Sequence, residues 1–186
     1  HQIKKQRKSN FPLLIFFPNI ALGEEFSITL KKYLPTENIA FVSSKSEERS
    51  TIVEKFRKKE LTILVTTTIL ERGVTFPQVD VFVCMANHHL YTSSSLIQIG
   101  GRVGRSPERP TGKLYFFHEG LSKSMLQCRK EINAMNWRGY IINRVECGSE
   151  TKCAEKRPEL SSKPAKIRQK SRPAVMVIVK IVGFAQ

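Results

Sequence analysis

The chain has 186 residues, enough for one domain of ordinary size with extensions. Its apolar share of 40% can build a core, while no apolar stretch approaches the ~18 residues of a membrane span and no signal-peptide pattern follows the first charges. The net charge of +15 points to a polyanionic partner, although basic segments that are simply solvated would give the same total.

The first ten residues carry Lys4, Lys5, Arg7 and Lys8 and no acid. Residues 13–17 are continuously apolar up to Pro18 and predict a buried strand. Helical spacing follows over 21–33, with Leu22, Phe26, Ile28, Leu30 and Tyr33 as the apolar set and Glu24 and Glu25 in the first turn. Residues 39–42 predict a second strand. Ser44 and Glu47 have capping-box spacing and open a helix through Lys59 whose inner face is Ile52, Val53 and Phe56. Residues 61–65 and 79–85 predict two more strands, the second almost wholly apolar and holding Cys84. Residues 93–101 predict a helix capped by serines, 113–117 a fifth strand, and 121–137 a last helix with Leu126, Ile132 and Met135 inward.

Apolar strands alternating with helices predict an α/β domain, a three-layer arrangement with a parallel sheet covered on both faces and ligands beyond the carboxyl ends of its strands. The domain spans 11–143. It is preceded by the basic segment 1–10 and followed by a basic, low-order tail over 144–186. Within that tail 174–184 is strongly β-prone and reads either as an added edge strand or as a non-native, out-of-frame end. The chain starts at His1, which suggests a fragment or a processed product.

Two segments carry chemistry. In Thr66-Thr67-Thr68-Ile69-Leu70-Glu71-Arg72-Gly73-Val74, a strand delivers hydroxyls to its carboxyl end, where they and free N–H groups can hold a backbone phosphate; an ordinary capped turn is the alternative. In Gln98-Ile99-Gly100-Gly101-Arg102-Val103-Gly104-Arg105, two arginines three apart share one side of a turn, and the glycines let another surface come close. Such a pair suits a polyphosphate, with Arg102 and Arg105 stabilising charge in phosphoryl transfer and Gln98 beside them; a general anion-binding turn is the alternative. His88-His89, without a thiolate or carboxylate at ligand spacing, reads as a polar loop rather than a metal site, and no metal is expected. Cys147 and Cys153 lack two further ligands. Tyr91 and Trp137 read as packing groups before stacking platforms.

The arginine segment resembles motif VI of superfamily 2 helicases, and the threonine segment resembles their motif V. Residues 13–18 resemble motif IV, and the helix with Glu48, Arg49 and Phe56 resembles the element between them. The resemblance covers roughly 11–140 and implies the second RecA-like (P-loop NTPase-type) domain of a helicase core. The strings TTTILERGVTFP and QIGGRVGRSPERPTGKLYFFHEG are similar to the late competence ATPase family ComFA and, more distantly, to the PriA helicases.

That resemblance implies ATP-dependent translocation on single-stranded DNA in natural transformation. The protein would be cytoplasmic or at the inner face of the membrane, beside other DNA-uptake proteins. It places Thr66, Thr67 and Thr68 on the DNA backbone, and Gly73, Gly101, Arg102 and Arg105 at the nucleotide, with Gln98 beside the arginines. Thr75 stands where an aspartate often follows the Gly-Val pair, which puts a ribose contact in doubt. The phosphate loop and the acidic Mg²⁺ box are absent: Gly112-Lys113 is followed by Leu114, and Asp80 is the sole aspartate. ATP and Mg²⁺ would therefore be held mainly by an amino-terminal RecA-like half, and without it the chain is a half-motor or only a basic single-strand-binding module.

Overall fold

The computed structural model describes residues 1–67, 76–103, 109, 111–146 and 176–183. Six parallel strands form one sheet in the order β2-β3-β1-β4-β5-β6. They are β1 (Leu13–Phe17), β2 (Ile39–Val42), β3 (Ile63–Thr67), β4 (Asp80–Val83), β5 (Thr111–His118) and β6 (Met176–Gly183). β1 is central, pairing Leu13 with Ile63 on one side and with Asp80 on the other. All five residues of β1 and of β3 are buried, which is why these strands are apolar throughout rather than alternating.

Parallel strands need crossovers, and helices supply them. α1 (Gln2–Arg7) and α2 (Ile20–Tyr33) accompany the face carrying Leu13, Ile15, Ile63 and Val65. α3 (Arg49–Arg57), α4 (Ser93–Gly100) and α5 (Lys123–Glu146) accompany the face carrying Leu14, Phe16, Leu64 and Leu114. The three-layer RecA-like architecture expected from the pattern is thus present.

Local details differ from the sequence reading. α2 begins at Ile20, one residue earlier than expected, and no acid lies in its first turn; the Asn19 side chain caps it by accepting from the Ala21 N–H at 2.8 Å. Its inward groups are Gly23, Ser27 and Leu30, while Leu22, Ile28 and Tyr33 are exposed. Gly23 is required there, because a Cβ would lie 2.9 Å from the Phe41 ring. Ser44 and Glu47 form no capping box: α3 starts later, at Arg49, after a turn in which Ser46 Oγ accepts from the Ser43 N–H. α4 is capped by Thr92, whose Oγ1 accepts from the Ser95 N–H. α5 runs nine residues beyond Trp137 and turns Met125, Cys128 and Ile132 inward, leaving Leu126 and Met135 exposed.

Residues 176–183 form the edge strand of the two readings left open for the tail, paired over their whole length with β5. Residues 147–175, which make up most of the expected low-order segment, lie outside the described residues, as do Cys147 and Cys153. No described helix is long and apolar enough to cross a membrane.

Candidate nucleotide and nucleic-acid interface

β3 carries Thr66 and Thr67 to the carboxyl rim of the sheet, as the sequence predicts. Both are enclosed. Thr66 is 0% exposed and its hydroxyl donates to the Thr67 carbonyl at 3.2 Å; Thr67 is 3% exposed and its hydroxyl has no hydrogen-bond partner among the described residues. Thr68 and Gly73 lie outside the described residues.

Of the arginine segment, Gln98 to Val103 are described. α4 belongs to the crossover from the carboxyl end of β4 to the amino end of β5, so it runs back across the sheet. Its last turn packs on β5 and α5: a Cβ on Gly100 would come within 2.9 Å of both Ile132 Cδ1 and Leu114 Cδ2. Gly100 is therefore there for close packing, and this packing fixes where the next residues go. The Gly101 N–H donates to the Ile97 carbonyl at 2.8 Å and the Arg102 N–H to the Ile99 carbonyl at 3.2 Å, closing the helix. Arg102 is 5% exposed and is held by interactions within the domain. Gln98 is exposed on α4, and Arg105 lies outside the described residues.

At the amino rim of the sheet, where β4 and β5 begin, lies a network the sequence reading missed. Asp80, fully buried, opens β4. Its Oδ1 accepts from Arg109 Nη2 at 2.7 Å and from the Lys113 N–H at 2.8 Å, and its Oδ2 accepts from Gln6 Nε2 at 3.0 Å. Arg109 also donates to the Gln78 carbonyl at 2.6 Å and stacks 3.6 Å over the Phe11 ring. A buried carboxylate is tolerable only when paired and hydrogen-bonded in this way. The signal was present: a lone aspartate entering an apolar strand demands a partner.

The other sequence candidates are structural. Tyr91 is 2% exposed and packs in the core; the Trp137 side chain lies outside the described residues. The His88 and His89 rings lie 4.3 Å apart, with His88 Nδ1 accepting from the Leu90 N–H. Among the described residues no three His, Cys, Asp or Glu side chains gather at metal-binding distance. Burial pushes the thiol of Cys84 up to about 12, and burial with the nearby Glu131 charge does the same for Cys128, so neither is a nucleophile at neutral pH.

A parallel sheet between helical layers, with a glycine-flanked arginine turn closing the helix before β5, defines the second RecA-like domain of a helicase core. The chain belongs to the helicase conserved C-terminal domain family, which it matches over residues 1–107. It is similar to the competence protein ComFA of Streptococcus pneumoniae, 60% identical over 134 residues that make up 72% of this chain and 31% of that protein. It is also similar to the competence protein ComFA of Bacillus subtilis, 39% identical over 75% of this chain and 29% of that protein. The chain thus spans about a third of the length of these relatives. Among solved structures, domain 2 of the DEAD-box helicase Mss116p bound to an RNA duplex has the same fold, with a TM-score of 0.52 at 21% identity over 76% of this chain and 67% of that one.

Proposed function

We propose that this chain is the carboxyl-terminal half of an ATP-driven translocase on single-stranded DNA, working in the uptake of DNA during competence. The observation that carries the reading is the arginine turn: Gly100 packs α4 against β5 and α5, so the helix closes at Arg102 in a fixed place. With Arg105 three residues on in the sequence, the pair would stabilise the negative charge of a transferring γ-phosphoryl group, with Gln98 as its polar neighbour.

The donor set fits the phosphates of ATP from one side only. It does not fit Mg²⁺: both oxygens of the sole aspartate are already engaged by Arg109, Gln6 and the Lys113 N–H. The metal and most of the nucleotide therefore belong to an amino-terminal RecA-like half, and Thr66, Thr67 and Thr68 contribute to the DNA track at the carboxyl rim. ATP drives the motor when both halves enclose it. Such a protein works in the cytoplasm or at the inner membrane face beside other uptake proteins.

The alternative is a basic module that binds single strands without turnover, favoured by the charge of +15. Arg105→Ala in the whole protein separates the two. The expected result is DNA-stimulated ATP hydrolysis reduced by a factor of about 10³ or more, as for the loss of an arginine finger, with DNA affinity nearly unchanged. Weakened DNA binding at unchanged turnover would instead favour the module.

A further inference from the structure

The sheet topology sorts charge between its two rims. α2 and α3 run antiparallel to the strands, so their carboxyl ends lie at the amino rim, and α1 is tied there by the Gln6–Asp80 bond. Each last turn is basic: Lys4, Lys5 and Arg7 in α1, Lys31 and Lys32 in α2, Lys55 and Arg57 in α3. Printed onto one rim, these ends are contiguous. Arg7 pairs with Glu37 in the α2–β2 connection at 2.9 Å, Asn38 donates to the Glu60 carbonyl in the α3–β3 connection at 3.0 Å, and Lys59 reaches Gln78, just before β4, at 2.8 Å.

Attraction of cations to helix carboxyl ends accounts for each lysine singly. It does not account for the balance. Three of the rim's acids are matched to arginines, Glu37 to Arg7, Glu54 to Arg57 and Asp80 to Arg109; Glu60 is exposed, and the exposed lysines outnumber it. The carboxyl rim has the opposite character, with the exposed acids Glu24, Glu25, Glu47 and Glu48. Beside Lys31 and Lys32 stands Tyr33, the most exposed of the large hydrophobic residues at 71%.

We propose that the amino rim, through Lys4, Lys8, Lys31, Lys32 and Lys58 with Tyr33 among them, is a binding surface for the phosphate backbone of a single-stranded nucleic acid, separate from the threonines at the carboxyl rim. Exposed lysines neutralise successive phosphates, and an exposed ring between them stacks on a base, which gives affinity without sequence preference. The proposal rests on the reading of this chain as a nucleic-acid motor domain.

The test is fluorescence anisotropy of a labelled oligothymidylate titrated with the chain, from 50 to 200 mM salt. The triple variant K31Q/K32Q/K58Q should bind about tenfold more weakly or worse, with the salt slope reduced by about 2, as expected for the loss of three phosphate contacts to a single strand. The control R129Q/K130Q, exposed within α5 and away from both rims, should change affinity less than about twofold, and circular dichroism should be the same for all. Tyr33→Ala should weaken single-strand binding by about fivefold or more and leave a duplex of equal length unaffected.

A wild-type chain that fails to bind oligothymidylate would sink both this proposal and the nucleic-acid reading. Wild-type binding unaltered in the triple variant would overturn the rim alone. So would a triple variant that keeps its oligothymidylate affinity but no longer binds phosphatidylserine vesicles, since the rim would then serve a membrane surface.

Discussion

At the carboxyl rim β3 ends in two enclosed threonines, one with an unpartnered hydroxyl; at the amino rim β4 begins with an enclosed aspartate whose two oxygens meet a guanidinium, a side-chain amide and a backbone N–H. The two rims of one sheet thus treat buried polarity in opposite ways. The Asp80 network of the amino rim is saturated and joins three separate parts of the chain, α1, the start of β4 and the start of β5. The carboxyl rim holds polar groups that the described fold does not use. A saturated network suits a scaffold, whereas polar groups left over at a strand end suit a ligand.

The largest effect should come from opening the saturated rim. Asp80→Ala leaves the Arg109 guanidinium buried without its counter-charge and frees Gln6 and the Lys113 N–H. Breaking a buried pair in this way costs about 3–5 kcal/mol, to be read from the urea midpoint at pH 7. Replacing both partners, as in D80L/R109M, should recover part of that loss, because a well-packed apolar pair avoids the uncompensated charge. A loss under ~1 kcal/mol for Asp80→Ala would show that the pair does not hold the rim together.

The carboxyl rim should respond in the opposite direction. Thr67→Val keeps the shape of the side chain and deletes a hydroxyl that has no partner among the described residues. Removing an unsatisfied buried polar group is neutral or stabilising, here by up to about 1 kcal/mol. The same substitution should weaken oligothymidylate binding if the hydroxyl is kept for a phosphate. A destabilisation of about 2 kcal/mol would mean that Thr67 is already satisfied within the fold.

The difference between the rims also explains which parts were legible in the sequence. β1, β3 and β4 were readable because burial on both faces leaves an unbroken apolar run, and the crossover helices then follow from parallel pairing. The caps were less readable: Ser44 and Glu47 have capping-box spacing, yet the chain after β2 makes its turn first and starts α3 from Glu48. The inward face of α5 differs from the periodic reading because Met125 and Cys128, one residue before and two residues after Leu126, take the core positions. For the site, the spacing of Gln98, Gly101 and Arg102 was legible, but the close packing of Gly100 on Leu114 and Ile132 was not, because it depends on the course of α4 across the sheet rather than on the motif. The Asp80–Arg109 pair spans 29 residues, and nothing in local periodicity links its two members.

The smallest expected effect tests whether the lesser ion pairs of the amino rim also hold it. Glu37 forms an ion pair with Arg7, Nε to Oε1 2.9 Å, and both side chains are largely covered. Burial alone would raise the Glu37 pKa; the bonds from Arg7 and Thr62, with the Arg7 charge, outweigh it and leave the carboxyl below its usual value. A carboxylate whose folded pKa is depressed stabilises the fold above its unfolded pKa, and that contribution fades as pH falls through the folded pKa. Stability curves of the wild type and Glu37→Gln should therefore differ by about 0.5 kcal/mol at pH 7, a magnitude limited by partial solvent screening, and converge at acid pH below both pKa values. A gap that persists there would assign the loss to packing rather than to charge. The amino rim would then depend on the Asp80–Arg109 pair, with Arg7–Glu37 serving to match an acid to an arginine and so leave the neighbouring lysines uncompensated.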